Sequence, residues 1–387
     1  MQEFMFHLPT KIYFGSQAIE RIGEETKKLG RKALVVSTIR NFARETGILK
    51  KIEKRGVKVV LFEEVESNPS IETVEKGADL SKRERCDVII GVGGGSSIDT
   101  AKGIAVLSTN PGPLTHYLGR DKVKNPPLPI IAIPTTAGTG SEVGLYAAFV
   151  NNEKVPPRKE TIGDRLIFPK VALFDPQLTL SLPLPATADS GVDALSQAIE
   201  SYISKRSSNL TEMLALKAVE LLAQYLPKVM KNPKNLEFRS FCLYASLLQG
   251  IAIAQTGTVL VHAMSFGLTP EFGISHGKAV GILLPWVCKF NLRSNYPKFS
   301  SLARALGEKT EGLSEKERAK RFVERIRELL LQVGMPQNLK EKKIKEEKIE
   351  ELAKEVMKDR PRILANPRLP TLSDVVGIYK KSLWGIR

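Results

Sequence analysis

The sequence predicts a two-part fold, with an N-terminal α/β domain built on a parallel sheet and an all-helical C-terminal domain. The first half alternates short, branched apolar segments with helical patterns such as residues 71–85. Such alternation is typical of a parallel sheet that helices cover on both faces. Almost no strand pattern follows residue 182, close to a proline-rich stretch at residues 180–188. We therefore expect two domains, at residues 1–182 and 183–387.

Each predicted strand is a continuous apolar run, which indicates burial on both faces of the sheet. The clearest runs cover residues 33–37, 58–62, 88–92 and 130–133. Beyond residue 182 the apolar residues recur at helical spacing. The helices predicted there cover residues 194–204, 210–226, 237–250, 344–357 and 373–382.

Charge is the unusual bulk property of the chain, with a formal net value of +16 over 387 residues. Lysines alternate with glutamates in residues 340–348. This pattern predicts a solvated helix face with i,i+4 ion pairs. No basic patch interleaved with aromatic residues is visible in the sequence. We therefore do not expect a nucleic-acid partner.

The cellular location is predicted from cysteine usage and from the apolar segments. The three cysteines have no CxxC spacing, so we expect neither disulfides nor a cysteine zinc site, as in a reducing cytoplasm. Residues 1–8 show no signal-peptide pattern. Glutamines, threonines and glycines interrupt the apolar stretch at residues 240–268. That stretch predicts a helix buried in a soluble domain rather than a membrane span.

A glycine-rich loop follows the third predicted strand. Residues 93–102 read GGGSSIDTAK. Glycines at a strand-to-helix turn let a ligand approach the backbone closely, and the N–H groups that open the helix bind anionic oxygens. We interpret this loop as a pyrophosphate cradle rather than a plain tight turn.

A second loop of similar character follows the fourth predicted strand. Residues 134–142 read PTTAGTGSE, with four hydroxyl side chains and two glycines. Open α/β sheets bind their ligands at strand ends of this kind. Two such loops on one sheet favour a dinucleotide over a lone phosphate. The GxGxxG fingerprint of ordinary Rossmann domains is absent.

The end of the first predicted strand bears on the choice of cofactor. It reads Ser37-Thr38-Ile39-Arg40, without the carboxylate that would hold the ribose hydroxyls of NAD. Arg40 could accommodate a 2′-phosphate instead. We therefore expect NADP or NAD, with NADP slightly favoured.

Two of the four histidines, His262 and His276, lie in one apolar stretch, and Asp193 precedes a predicted helix. One carboxylate and two imidazoles are a plausible set of ligands for a divalent metal. Gln197, one helical turn after Asp193, could supply a fourth ligand. Structural alternatives exist for each residue: Asp193 as a helix cap, His262 as a core histidine, and His276 as the residue that opens a helix.

These segments resemble the iron-containing (group III) alcohol dehydrogenases. Residues 93–102 and residues 134–143 nearly repeat two motifs of that family. Softer matches follow in the order in which the family has them, at residues 67–69, 174–176, 191–195, 261–264, 275–277 and 366–368. The resemblance spans about residues 5–385, essentially the whole chain.

The resemblance implies a dinucleotide-binding α/β domain and a helical metal- and substrate-binding domain, the fold shared with dehydroquinate synthase. Together with the loops, it predicts a set of cofactor-binding residues: Thr38, Asn68, Gly94, Gly95, Ser96, Asp99, Thr135, Thr136, Thr139, Ser141, Lys159 and Leu178. The metal ligands it implies are Asp193, Gln197, His262 and His276, and Asp193, His262 and His276 are also the predicted catalytic residues. The resemblance also implies Fe²⁺ or Zn²⁺ as the metal, and a homodimer is expected.

Two residues depart from the family pattern. Gln197 stands where the family normally has a histidine ligand, and Phe266 stands where many members have another histidine. The metal site could use Gln197 as a ligand, use three ligands and a water, or be largely empty. Phe266 predicts an apolar pocket that favours hydrophobic alcohols over polyols.

The sequence therefore predicts an NAD(P)-dependent alcohol dehydrogenase or aldehyde or ketone reductase of class EC 1.1.1, acting on a small molecule in the cytoplasm. Two alternatives remain open at this point. One is a metal-independent reductase of an anionic oxo acid on the same fold. The other is a cofactor-binding protein whose metal site has eroded.

Overall fold

A computed structural model describes residues 3–155, 157–342 and 344–385. Internal packing divides the chain into two compact units. The α/β unit is His7–Leu182. The helical unit is Pro183–Arg387 together with Met1–Phe6.

A six-stranded parallel sheet forms the centre of the α/β unit. Its strands are β1 Lys11–Phe14, β2 Lys32–Ser37, β3 Lys58–Phe62, β4 Val88–Gly93, β6 Ile130–Pro134 and β9 Val171–Phe174. They run in the order β1-β9-β6-β4-β2-β3, and every pair is parallel. The predicted parallel sheet is thus confirmed, and its four predicted strands correspond to β2, β3, β4 and β6.

Helices cover both faces of this sheet. They are α1 Ile22–Leu29, α2 Phe42–Glu45, α3 Ile48–Glu53, α4 Ile71–Arg83 and α5 Gly95–Thr109. Successive residues of β2 point to opposite faces. Leu34 packs in one core cluster with residues of α4 and α5, whereas Val35 packs in another with residues of α1 and α3. Both faces of β2 are therefore buried, which explains its unbroken apolar run.

A small second sheet was not predicted. Its strands are β5 Gly119–Arg120, β7 Tyr146–Asn151 and β8 Arg158–Gly163, and β7 pairs with β8 in antiparallel fashion. Buried and half-buried residues alternate along β7. A strand that is covered on one face contains no continuous apolar run, so the apolar runs of the sequence did not indicate β7.

The helical unit has ten α-helices among its described residues and no strand. They are α6 Leu184–Ile203, α7 Asn209–Lys231, α8 Leu236–Thr256, α9 Leu260–Phe272, α10 His276–Asn291, α11 Tyr296–Ala305, α12 Glu315–Gln332, α13 Glu346–Lys358, α14 Arg360–Ala365 and α15 Leu372–Trp384. The predicted all-helical character is confirmed.

The start of α6 corrects one expectation. This helix begins at Leu184, not at Ala194, and a proline lies in its first turn. Proline is accepted there because its missing N–H would have no helical partner in any case. Asp193 therefore lies in the interior of α6, and its interpretation as a helix cap is wrong.

The apolar stretch at residues 240–268 is not one helix. It is divided between α8 and α9, and Gly257 between them has a φ of 67°. No single helix in the described ranges is long and apolar enough to cross a membrane. The pair Leu236–Thr256 and Leu260–Thr269 meets the length and composition test only when combined, and it is bent by 103°.

The lysine- and glutamate-rich run at residues 340–348 also differs from its prediction. A 3-10 turn covers Lys340–Lys342, and α13 begins only at Glu346. Lys343 lies outside the described residues. Lys348 pairs with Glu271 at 2.5 Å and with Glu351, three positions on, at 2.8 Å. The described pairs of Lys348 are thus a tertiary contact and an i,i+3 contact.

Candidate metal and cofactor sites

Three helices of the helical unit bring Asp193, His262 and His276 together. One potential ligand atom from each residue lies within 4.8 Å of the other two. His262 Nε2 is 3.1 Å from Asp193 Oδ1, and His276 Nε2 is 3.7 Å from the same oxygen. His276 is the first residue of α10, as one sequence alternative expected. The cluster offers one carboxylate and two imidazoles, a donor set that suits a divalent metal.

Gln197 completes the cluster one turn after Asp193 on α6. Its Nε2 donates a hydrogen bond to Asp193 Oδ2 at 3.0 Å. Its Oε1 is buried and has no hydrogen-bond partner among the described residues. A buried carbonyl oxygen without a partner costs free energy and is rare in proteins. That oxygen is therefore a candidate fourth ligand, and the residues present fit a bound cation.

Glu200, which the sequence analysis missed, lies fully buried beside His262. Its Oε1 accepts hydrogen bonds from the backbone N–H groups of Val259 at 3.0 Å and Val261 at 2.9 Å. Its Oε2 accepts the Nδ1 proton of His262. Glu200 thereby fixes the ring and leaves Nε2 as the nitrogen for a metal. The sequence signal for it is that Glu200 lies two helical turns after Asp193, on the helix face that also carries Gln197.

Electrostatics in the cluster favour a protonated His262 beside an ionised Asp193. Burial opposes the charge, but Glu200 and Asp193 raise the pKa of His262 to about 9. Burial likewise opposes the ionisation of Asp193, but the His262 hydrogen bond and the charge of His276 lower its pKa below the usual range. A bound metal ion would take the place of the Nε2 proton of His262, and metal binding of this kind releases protons.

Phe266 lies next to this cluster, one turn after His262 on α9. Its ring centroid is 6.5 Å from that of His262 and 6.0 Å from that of His276. The residue that departs from the family pattern is therefore a neighbour of both imidazoles.

The two predicted cofactor loops lie side by side in the α/β unit. A Cβ added to Gly95 would lie 2.6 Å from Thr139 Cγ2, and one added to Gly94 would lie 3.2 Å from Thr136 Cγ2. Gly93 has a φ of +146°, which L residues rarely adopt. The glycines thus allow the second loop to pack directly on the start of α5.

Two further predicted residues approach the first loop. Thr38 donates its backbone N–H to Ser97 Oγ at 3.0 Å, and Asn68 donates its own to Ser96 Oγ at 3.3 Å. The structure therefore gathers these residues with the glycines at the carboxyl ends of the parallel strands, where open α/β sheets bind ligands.

Other predicted cofactor residues take part in hydrogen bonding, core packing or strand pairing within the α/β unit. Asp99 accepts hydrogen bonds from Ser141 Oγ at 2.5 Å and from the Ala148 N–H at 2.9 Å, so it ties α5 to the second loop. Leu178 packs in the core cluster behind the sheet. Lys159 lies on β8 opposite Val150.

A buried charged group, also missed in the sequence, supports the second loop. The fully buried Lys102 donates from Nζ to the carbonyl oxygens of Gly144 and Tyr146, each at 2.8 Å. Burial lowers the pKa of Lys102 to about 8 and raises that of Glu142 to about 7. Glu142 Oε1 is buried without a hydrogen-bond partner among the described residues.

Comparison with known proteins identifies the family. The description "Iron-containing alcohol dehydrogenase" matches residues 9–176, and "Fe-containing alcohol dehydrogenase family, C-terminal" matches residues 187–383. The chain belongs to the iron-containing alcohol dehydrogenase family. The predicted family, its oxidoreductase activity of class EC 1.1.1 and its action on alcohols or aldehydes are thereby confirmed.

Relatives of this family member match it along nearly its whole length. It is 35% identical over 383 residues to the NAD-dependent methanol dehydrogenase of Bacillus methanolicus, which covers 98% of this chain and 99% of that protein. It is 36% identical over 385 residues to the 1,3-propanediol dehydrogenase of Citrobacter freundii, with 98% of each covered. The crystal structure of 1,3-propanediol oxidoreductase is similar at a TM-score of 0.94 and 35% identity, covering 99% of this chain and 100% of that one.

Proposed function

We propose that this alcohol dehydrogenase interconverts a small alcohol and its aldehyde or ketone with a nicotinamide dinucleotide and a divalent cation. Residues 1–182 would bind the dinucleotide, and residues 183–387 would bind the cation and the substrate. The observation that carries the proposal is the convergence of Asp193, His262 and His276 within 4.8 Å. The buried, unpartnered Oε1 of Gln197 supports a fourth ligand there.

Each residue of the cluster has a defined part in this proposal. Asp193 supplies negative charge, and His262 and His276 supply imidazole nitrogens. Glu200 keeps the Nδ1 proton of His262 in place, so that Nε2 remains the donor atom. When bound, the cation supplies Lewis acidity that lowers the pKa of the substrate hydroxyl. Phe266 carries no titratable group, so the hydroxyl proton must leave through water or the cofactor ribose.

For the cofactor, the finer proposal is that NADP is accepted at least as well as NAD. Strand β2 ends at Ser37, and the exposed residues Ile39 and Arg40 follow. The nearby Glu63 accepts the backbone N–H of Asn41 at 2.9 Å. An exposed arginine at this strand end suits a 2′-phosphate. The relative from Bacillus methanolicus is named as NAD-dependent, which supports NAD itself.

We also propose a cytoplasmic homodimer that has neither a nucleic-acid nor a membrane partner. All three cysteines are buried and unpaired, which suits a reducing compartment.

Metal content and turnover test the proposal together. After loading with Fe²⁺ or Zn²⁺, elemental analysis should find about one ion per chain, lost in Asp193→Ala and in His276→Ala. Reduction of small aldehydes by NADPH and NADH should fall on the order of 1,000-fold in both variants. The ratio of kcat/KM for the two cofactors measures the NADP preference.

His116→Ala is the matched control, because His116 lies in a 3-10 turn of the α/β unit, outside the cluster. It should keep both the metal and the activity. Equal metal content in Asp193→Ala and the unmodified enzyme would overturn the metal assignment. Full activity without metal would support the metal-independent reductase instead.

A further inference from the structure

A fixed positive charge stacks on Phe266, the aromatic neighbour of the candidate metal cluster. The guanidinium carbon of Arg362, on α14, is 4.6 Å from the centroid of the Phe266 ring. That ring is itself the neighbour of His262 and His276. The sequence predicted that Phe266 makes the substrate pocket apolar, and the structure adds the Arg362 guanidinium against the Phe266 ring.

Arg362 is held in place from two directions. Its Nε donates to Thr258 Oγ1 at 2.8 Å, and its Nη1 donates to Asp359 Oδ2 at 2.5 Å. Thr258 lies in the break between α8 and α9, four residues before His262. Stacking on Phe266 adds a third contact. A guanidinium fixed in this way loses little further entropy when a ligand binds.

The guanidinium also retains unused donors. Within the described part of the chain, its hydrogen bonds use Nε and Nη1, and none uses Nη2. Arginine has five N–H donors in a planar fork, which matches a carboxylate in bidentate fashion. Its side chain is 21% exposed, so solvent or a ligand can reach it. Among the described residues, Asp359 is the acidic residue whose carboxylate forms an ion pair with the Arg362 guanidinium.

We propose that Arg362 determines substrate specificity by binding a terminal carboxylate, so that the favoured substrates are short ω-hydroxy acids and their ω-oxo counterparts. The carbinol end would lie at the Asp193, His262 and His276 cluster, and the alkyl chain would lie against Phe266. This inference rests on the proposed alcohol dehydrogenase function. It narrows the substrate class to molecules that carry a hydroxyl or carbonyl group at one end and a carboxylate at the other.

Paired substrates of equal chain length test this directly. We would measure NADPH- and NADH-dependent reduction of 4-oxobutanoate and of butanal by the metal-loaded enzyme. The unmodified enzyme should favour 4-oxobutanoate in kcat/KM on the order of 10- to 100-fold, the usual effect of a hydrogen-bonded ion pair. In Arg362→Met this preference should vanish through a higher KM for 4-oxobutanoate, whereas kcat/KM for butanal stays within a few-fold.

Two further variants distinguish a specific loss of carboxylate binding from a general loss of folded protein. Thr258→Val removes the hydroxyl that holds Nε and should reduce the preference by a smaller factor. Arg368→Met is the matched control, since Arg368 also stacks on an aromatic ring, Phe290, at 4.0 Å. It removes an equal charge and should leave the preference unchanged.

The outcomes separate this inference from the proposed function. No turnover of either aldehyde would overturn the alcohol dehydrogenase proposal itself. Turnover of butanal without a preference for 4-oxobutanoate would overturn only the role of Arg362. A preference that survives in Arg362→Met but disappears in Arg368→Met would overturn the role of Arg362 and show that Arg368 binds the carboxylate.

Discussion

The two candidate sites of this enzyme are built in different ways. In the α/β unit, the loops after β4 and β6 offer backbone groups, hydroxyls and the space left by absent side chains at Gly94 and Gly95. In the helical unit, the cluster consists of side chains from three separate helices. A site made of backbone is specified by a contiguous motif. A site made of buried side chains also requires partners that fix them, as Glu200 fixes His262.

Two buried carboxyl groups, Glu200 in the helical unit and Glu142 in the α/β unit, differ in how fully they are hydrogen-bonded. The carboxylate of Glu200 accepts hydrogen bonds from several donors. Glu142, by contrast, is buried with one oxygen unpartnered among the described residues. Burial without full pairing raises a carboxyl pKa, as it does at Glu142. Glu200 is thus a fully hydrogen-bonded buried carboxylate, whereas Glu142, at the end of the second loop, is a buried carboxyl group with a raised pKa.

The largest expected effect is on the backbone-built site. In Gly95→Ala, the new methyl group would clash with Thr139, whose Cγ2 would lie only 2.6 Å away. Because the loops must separate, the apparent dissociation constant for NADPH or NADH should rise on the order of 100-fold or more. Fluorescence titration of the cofactor measures this. Metal content should stay unchanged, which would confirm that the two sites are built independently.

Gly377→Ala is the control for that substitution. Gly377 lies in α15, and a Cβ there meets no atom within 4 Å. Cofactor affinity should be unaffected. Unchanged affinity in Gly95→Ala as well would show that the tight contact of the two loops is irrelevant to binding.

The next largest effect is on the side-chain-built site. In Glu200→Gln, an amide NH₂ next to His262 Nδ1 would move the ring proton to Nε2, the predicted donor atom. Zn²⁺ affinity should fall about 10- to 100-fold, as measured by competition with a chelator. Cofactor affinity should not change.

Glu220→Gln is the matched control, because Glu220 forms an exposed i,i+3 pair with Lys217 on α7. It should bind Zn²⁺ as the unmodified enzyme does. A Glu200→Gln protein with undiminished affinity would show that the carboxylate fixes the start of α9 and has no influence on the metal.

The backbone-built site was the more predictable of the two from sequence. The loop motifs and the strands β2, β3, β4 and β6 could be predicted because buried parallel strands read as unbroken apolar runs. Strand β7 was not predicted because buried and half-buried residues alternate along it, and β8 because its sequence, RKETIG, contains no apolar run.

The side-chain-built site was predicted only in part. Asp193, Gln197, His262 and His276 were named from residue type and family resemblance, but Glu200 and Arg362 were not. Their importance depends on which helices pack together, and this follows from tertiary contacts rather than from any local motif. Asp193 was predicted to precede a helix, whereas α6 begins at Leu184, because a proline is accepted in a first helical turn.

The smallest expected effect concerns the unpartnered Glu142. Burial raises its pKa to about 7, above the ordinary value of 4.5. Between these pH values the folded protein retains a proton that the unfolded chain has released, so stability falls as pH rises. This contribution is complete below about pH 4.5 and lost by about pH 7. In Glu142→Gln it disappears.

The difference in free energy of unfolding between the unmodified enzyme and this variant should therefore fall by about 1 kcal/mol per pH unit between about pH 5 and 7. Urea unfolding at several pH values measures it, with Glu220→Gln as the control that shows no such trend. A flat difference would mean that Lys102 keeps Glu142 ionised, and that Glu142 is paired as fully as Glu200 is.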